Sequence, residues 1–243
     1  GDDAPMARFI ASEPFWNLFP QAEIGIVVAR GLENHADRVK DRSAIAADLE
    51  SALNESRKFL TGETLSQCPV VAVWRDAFKL FKTKKGARSS IEALLKRVEK
   101  GKGLGSVNPL VDIYNAVSLT WGFPVGGEDL DAFRGDLRLD VSAGGDPFLA
   151  LGDEAEEPTL PGEVCYRDDA GAVCRCWNWR DGQRTMLTED TVNAFLVIES
   201  VAPERREDLR RALETLAEKA RRRLGGTCRV VVADRENRSV SLE

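Results

Sequence analysis

Residues 108–129 read N-P-L-V-D-I-Y-N-A-V-S-L-T-W-G-F-P-V-G-G-E-D, and their reading decides the fold. The spacing predicts an amphipathic helix that runs into a glycine-opened turn. Leu110, Ile113, Val117 and Leu119 supply its apolar surface, while Asn108, Asp112, Asn115 and Ser118 are polar. Asn108, Asp112 and Asn115 fall at i, i+4 and i+7, which puts them on one face. Pro124-Val125-Gly126-Gly127 then reads as a turn whose backbone can approach a ligand closely, because glycine has no Cβ. A helix face and a Gly-Gly wall together can bind a small polar molecule.

On the N-terminal side, helices dominate. Ile24–Ala29 is a short apolar β-type run that ends at Gly31. Val39, Ile45, Leu49, Leu53 and Leu60 space an amphipathic helix over 37–60, closed by Gly62. Pro69–Phe81 reads as helical, with proline tolerated in the first turn. Ser89-Ser90-Ile91-Glu92 resembles a capping box, and Gly101 ends the helix it opens. On the C-terminal side strands take over. Leu137–Val141 and Val164–Tyr166 alternate, and the turn Asp168–Gly171 leads into a strand over Ala172–Trp179, making a hairpin. Phe195–Ile198 and Arg229–Val232 are further strands. A last helix opens at Pro203 and ends before Gly225-Gly226. This order indicates one α+β domain over 6–243 with a helical N-terminal portion at about 36–106. Residues 1–5 look like an expression scar.

Composition bounds the function. Of 243 residues, 43% are hydrophobic and 30% charged, which suits a globular protein with a sizeable core. No apolar run is long enough to cross a bilayer, so no membrane partner is expected and the cytoplasm is the default location. The five cysteines are an odd number in a long chain, which argues for free thiols. Cys174-x-Cys176 lacks the spacing and partners of a zinc site, and neither a metal nor another cofactor is expected. The net charge of −6 excludes a generic nucleic-acid sponge. Between Lys79 and Lys102, however, Lys82, Lys84, Lys85, Arg88, Lys96 and Lys100 form a local basic run that can hold phosphates or simply be solvated.

Familiar catalytic machinery is missing. The one histidine, His35, is the only base a Ser/His/Asp or Cys/His site could use. Phosphate-loop and dinucleotide fingerprints do not occur. Cys174-Arg175-Cys176-Trp177-Asn178-Trp179-Arg180 is the second informative segment. Strand alternation would put Arg175, Trp177 and Trp179 on one face and Cys174, Cys176 and Asn178 on the other. The aromatic face could stack on a base or pack within the sheet. Asn178 among bulky neighbours is a buried amide that needs partners.

Several motifs occur in order. Phe15-Trp16-Asn17-Leu18-Phe19-Pro20 comes first, then Ser89–Leu95, Asn108–Leu119 with Pro124–Asp129, Arg175 with Asn178-Trp179-Arg180, and Leu187–Thr191 with Ile198-Glu199. The chain resembles the free-standing B3/B4 proteins, and over about 107–199 it is similar to the editing (B3/B4) domain of the bacterial phenylalanyl-tRNA synthetase β subunit. The resemblance implies an α+β fold of B3/B4 type, a mixed sheet with surrounding helices. It places the B3/B4 core at about 107–200, followed by the C-terminal helix and strand over 203–243.

By function, the resemblance implies hydrolysis of the ester joining a wrong amino acid to tRNA, with mischarged tRNA as the partner. Asn115 matches a pocket asparagine. Gly126 stands where the synthetase motif has its histidine, and Tyr114 replaces a threonine. An aminoacyl ester is already activated, so orientation and oxyanion stabilisation matter more than a strong base. Asn115, Gly126, Gly127, Glu128 and Asn178 are the candidate catalytic residues. Asn108, Tyr114, Ser118, Trp179, Arg184 and Thr185 are candidates for substrate binding, and Glu128 could instead hold the α-ammonium. The other readings are a non-catalytic tRNA or aminoacyl-nucleotide binding module, and a hydrolase using Cys68 or Cys174 with His35.

Overall fold

The computed structural model describes residues 7–243; the expected scar at 1–5 lies outside them. The described chain is α+β, with two sheets and six helices. The helices are α1 (Glu13–Leu18), α2 (Arg42–Glu55), α3 (Pro69–Phe78), α4 (Ser90–Glu99), α5 (Pro109–Trp121) and α6 (Arg206–Leu224). A mixed six-stranded sheet contains β1 (Arg8–Ala11), β4 (Leu137–Val141), β5 (Val164–Asp168), β6 (Gly171–Arg175), β7 (Arg180–Asp181) and β10 (Ser239–Ser241), in the order β10-β1-β4-β5-β6-β7. A second, antiparallel sheet joins β3 (Val125–Asp129), β8 (Ala194–Ser200), β2 (Glu23–Arg30) and β9 (Thr227–Ala233), in the order β3-β8-β2-β9. Among the described residues no helix is long and apolar enough to cross a membrane.

The two faces of the second sheet explain its position. Ile24, Ile26, Phe195 and Val197 turn toward the six-stranded sheet and pack with Phe9 and Tyr166. Val27, Leu196 and Ile198 turn the other way, onto Leu110 and Ile113 of α5 and Leu209 and Leu213 of α6. Strands buried on both faces read as continuous apolar runs, and β2 and β8 do so. Each of these large side chains contributes about 1.5–3 kcal/mol through burial.

The helix ends follow from the sequence. Ser89 Oγ accepts from the Glu92 N–H, and Asn108 Oδ1 accepts from the Val111 N–H with Pro109 at the first position of α5. Gly122 closes α5 at φ 72°, a conformation that suits glycine. The turn is therefore at Gly122. Pro124–Gly127, expected to be that turn, instead enters β3, whose residues pair with β8 from Val125↔Ile198 to Asp129↔Ala194. Backbone pairing does not need a Cβ, so two glycines complete an edge strand once a buried partner is in place. Three other expectations are shortened. The 37–60 helix is α2, Arg42–Glu55, followed by a tight 3-10 turn; the Pro69 helix stops at Phe78; and the Ala172–Trp179 strand stops at Arg175.

Candidate functional site

A cavity of about 60 Å³ lies at the seam of the two sheets. Strand β3 forms one wall. Period-two alternation turns Gly126 and Glu128 into the cavity and Gly127 the opposite way. A Cβ on Gly126 would meet only Val197 Cγ1, at 3.8 Å. A Cβ on Gly127 would come within 2.8 Å of Leu187 Cδ1 and 2.9 Å of Leu196 Cδ2. Gly126 thus leaves room in the cavity, and Gly127 lets the core close behind the strand.

The opposite wall is built by a left-handed turn. Cys176 and Trp177 have φ of 48° and 64°, values rare for residues with a side chain. The turn is held by a Trp177 N–H bond to Val164 O at 2.7 Å and an Asn178 N–H bond to Cys176 O at 2.9 Å. Beneath it Arg175, 1% exposed, makes two hydrogen bonds to Glu163, which also accepts from the Cys176 N–H. Strand alternation therefore does not extend through this segment, and Trp177 parts from Arg175 and Trp179, whose guanidinium and ring lie 5.9 Å apart. Arg175 is a buried anchor. Trp177 is buried, edge-on to Phe15 and Trp74 with centroids 5.0 and 4.9 Å away. Trp179 alone is half-buried; it lines the cavity, with the Arg180 guanidinium 4.7 Å from its ring.

The turn delivers Asn178 into an acidic setting. Asn178 Nδ2 donates to Glu199 Oε1 at 3.3 Å, and the Tyr166 hydroxyl donates to Glu199 Oε2 at 2.6 Å. Burial pushes the Glu199 carboxyl up to about 8, against the pull of the Tyr166, Asn178 and Trp177 donors. Glu128 accepts from Thr185 Oγ1 at 2.9 Å and is hydrogen-bonded to Asp181, which also bonds Cys174. Burial and the neighbouring Asp181 hold Glu128 well above the usual carboxylate range, and burial raises Asp181. Glu128 and Asp181 thus act as a pair that retains a proton. Asn178 Oδ1 and Ser90 Oγ are buried without a hydrogen-bond partner, and both residues line this cavity. Among the described residues no group of three or more His, Cys, Asp or Glu side chains is arranged to hold a metal ion.

The strand edge adds a free donor. Glu199 N bonds Pro124 O, and Asp129 N points away from β8 to Thr185 O at 2.8 Å. This phase of an antiparallel ladder sends the Gly127 N–H out over the open edge of β3. It has no partner among the described residues. Gly127 and Asp181 border both the cavity and a neighbouring apolar groove, so this amide sits at their junction.

The structure brings Gly126, Gly127, Glu128, Asn178 and Trp179 to one cavity, with Thr185 bonded to Glu128. Tyr114 and Asn108 line the adjoining groove; Asn108 is mainly occupied as the α5 cap, bonded to Asn34 and Leu187. Asn115, half-buried on α5, does not line the cavity, and its amide makes no hydrogen bond among the described residues. Ser118 is buried and bonds Phe123 O. Arg184 grips Asp168 at the β5–β6 hairpin with bonds of 2.9 and 2.7 Å. Of the basic run, Lys84 pairs with Glu157 at 2.6 Å. Lys82, Lys85 and Arg88 are exposed on the loop that ends at Ser89-Ser90, and Lys96 and Lys100 follow on α4 and at its end. His35 is outside the cavity, clamped by Glu33 at 2.7 Å and Asp190 at 2.9 Å. Sequence reasoning did not single out Asp181, Ser90 or Tyr166. Asp181 has no local signal, and Ser90 reads as part of a cap.

These features define the class: an α+β protein with a partly open, acid-lined cavity between two sheets. The chain belongs to the B3/4 domain family, which matches over residues 73–226. Over 94 residues it is 38% identical to a phenylalanine–tRNA ligase β subunit from Ruegeria pomeroyi, covering 39% of this chain and 12% of that one. The chain therefore spans a small part of that relative's length. The crystal structure of an N-terminal fragment of the phenylalanyl-tRNA synthetase β subunit from Pyrococcus horikoshii overlays with a TM-score of 0.47 at 12% identity. That overlay covers 93% of this chain and 51% of the other.

Proposed function

We propose that this protein is an aminoacyl-tRNA deacylase acting in trans on mischarged tRNA. The observation that carries the reading is the pair of orphaned buried atoms, Asn178 Oδ1 and Ser90 Oγ, in a cavity that also holds Glu128, Asp181 and Glu199. A ligand is one source of the partner that a buried polar atom lacks. A ligand group with several N–H donors and a positive charge satisfies the amide oxygen, the hydroxyl and the carboxyls together. Every aminoacyl ester carries such a group, its α-ammonium.

In the proposed reaction water adds to the ester carbonyl, the C–O bond to the terminal ribose breaks, and the free amino acid and the ribose hydroxyl leave. The negative charge that develops on the carbonyl oxygen needs a preorganised donor, and the free Gly127 N–H at the open strand edge meets that need. The Glu128–Asp181 pair, which holds one proton between two carboxyls, takes the proton from the attacking water and returns one to the departing ribose oxygen. The ester is activated by its own ribose, so no nucleophilic side chain is required. Exposed Lys82, Lys85 and Arg88 lie just before Ser90 of the cavity, a position that suits the phosphates of the acceptor strand. Membership of the B3/4 family supports the same reading.

The test is a panel of mischarged tRNAs incubated with purified protein. At least one mischarged ester is expected to decay well above the buffer rate. Decay of every ester at the buffer rate overturns the hydrolase reading. Salt-sensitive tRNA binding without turnover then leaves the binding-module reading.

A further inference from the structure

We propose that the cavity selects esters of the smallest amino acids: glycine, alanine and, at its limit, serine. The inference rests on the deacylase reading and names a substrate class for it. A cavity of about 150 Å³ holds a benzene ring, so each heavy atom needs roughly 25 Å³. The space between the two sheets is about 60 Å³, room for about two or three heavy atoms. The α-ammonium nitrogen and Cα account for two of them, and a Cβ is the third. The walls are fixed. Leu137, Val173 and Phe195 line the cavity and are at most 1% exposed. They stand on β4, β6 and β8, and each of these strands is hydrogen-bonded to a neighbour on both sides. Side chains packed this way on interior strands move apart for a larger group only at the cost of strain.

Position sets the same limit. The ammonium meets Asn178 Oδ1 on one wall, and the ester carbonyl turns to the Gly127 N–H on the other. Cα is then held between the walls, and its side chain has only the space that remains. Gly126 faces that space, and a Cβ there would meet only Val197 Cγ1, at 3.8 Å. One methyl group of a substrate therefore fits between Gly126 and Val197. Ser90 Oγ, buried and unpartnered, has two lone pairs, so one remains for the β-hydroxyl of serine when the other meets the ammonium. Each further methylene in such a pocket changes discrimination by about 10–200-fold. Valine, with two carbons more than alanine, is already beyond the space available.

The test varies the amino acid alone. Unfractionated tRNA is acylated by a charging ribozyme with glycine, alanine, serine, valine, leucine, lysine, phenylalanine or tyrosine, and each ester is followed with the purified protein and in buffer. The glycyl, alanyl and seryl esters are expected to decay fastest, the valyl ester about 100-fold more slowly, and the four larger esters at the buffer rate. Val197→Ala removes two methyl groups from the wall facing Gly126 and should raise valyl relative to alanyl hydrolysis about tenfold or more. Gly126→Ala places a methyl group where the substrate's Cβ would lie, so it should slow the alanyl ester more than the glycyl one. Decay of the valyl, leucyl, lysyl, phenylalanyl or tyrosyl ester as fast as the alanyl ester overturns the size rule and leaves the deacylase reading standing. Decay of no ester above the buffer rate overturns both.

Discussion

Glu199→Gln is expected to stabilise the protein, and to do so more strongly as pH rises. Glu199 is 1% exposed, and burial holds its carboxyl at about 8, against an ordinary 4.5. From pH 4.5 to 8 the folded chain keeps a proton that the unfolded chain has lost. A raised carboxyl pKa makes its stability contribution in full below the unfolded value, and that contribution fades as pH climbs to the folded one. At about 1.4 kcal/mol per unit, flattening close to the folded value, the loss between pH 6 and pH 8 is about 2 kcal/mol. The introduced amide stays neutral. Its oxygen accepts from the Tyr166 hydroxyl, and its NH₂ donates to Asn178 Oδ1 once that amide flips, giving the orphaned oxygen a partner. Glu128 and Asp181 titrate in both proteins and largely cancel in the difference. Urea unfolding followed by tryptophan fluorescence, run on both proteins from pH 5 to 9, should give a gap that widens by about 2 kcal/mol from pH 6 to 8 and levels off by about pH 9. A gap independent of pH, or a variant less stable at pH 8, refutes the buried acid cluster.

The two glycines of β3 should separate. Gly127→Ala forces a Cβ to within 2.8 Å of Leu187 and should cost about 1–3 kcal/mol in urea melts, whereas Gly126→Ala should leave stability intact and reduce deacylation. Arg175→Met strands Glu163, which is 0% exposed, and should cost about 3–5 kcal/mol; adding Glu163→Gln should restore much of it in the double-mutant cycle. His35→Ala should leave deacylation unchanged, because both ring nitrogens serve a clasp outside the cavity. The hydrogen bond to Glu33, then that to Asp190, raises His35 above 6.5. Its contribution is therefore present below pH 6.5 and lost as pH rises through the folded value, so the variant's thermal deficit should appear at pH 6 and vanish by pH 9.

The parts of this fold that were legible in the sequence are those set by neighbours along the chain. Ser89 and Asn108 cap their helices as their positions suggest, Gly122 ends α5, and Asp168–Gly171 turns a hairpin. What escaped is set by partners far away. Pro124–Gly127 looks like a turn by composition and becomes a strand because β8 offers an edge to pair with. Arg175–Trp179 looks like an alternating strand, yet Glu163 and the pocket formed by Phe15, Phe19 and Trp74 reward a left-handed turn instead. Asn178 was legible as a polar residue among bulky ones. The acid cluster was not, because Glu128, Asp181 and Glu199 come from β3, β7 and β8 and meet only when the two sheets pack.

The most direct measurement is a crystal structure with a non-hydrolysable alanyl-adenosine amide. The account predicts an ammonium group within hydrogen-bond distance of Asn178 Oδ1 and a carboxyl of Glu128, Asp181 or Glu199, with the amide carbonyl turned to the Gly127 N–H. A ligand bound elsewhere, with Asn178 and Ser90 still unpartnered, would contradict it.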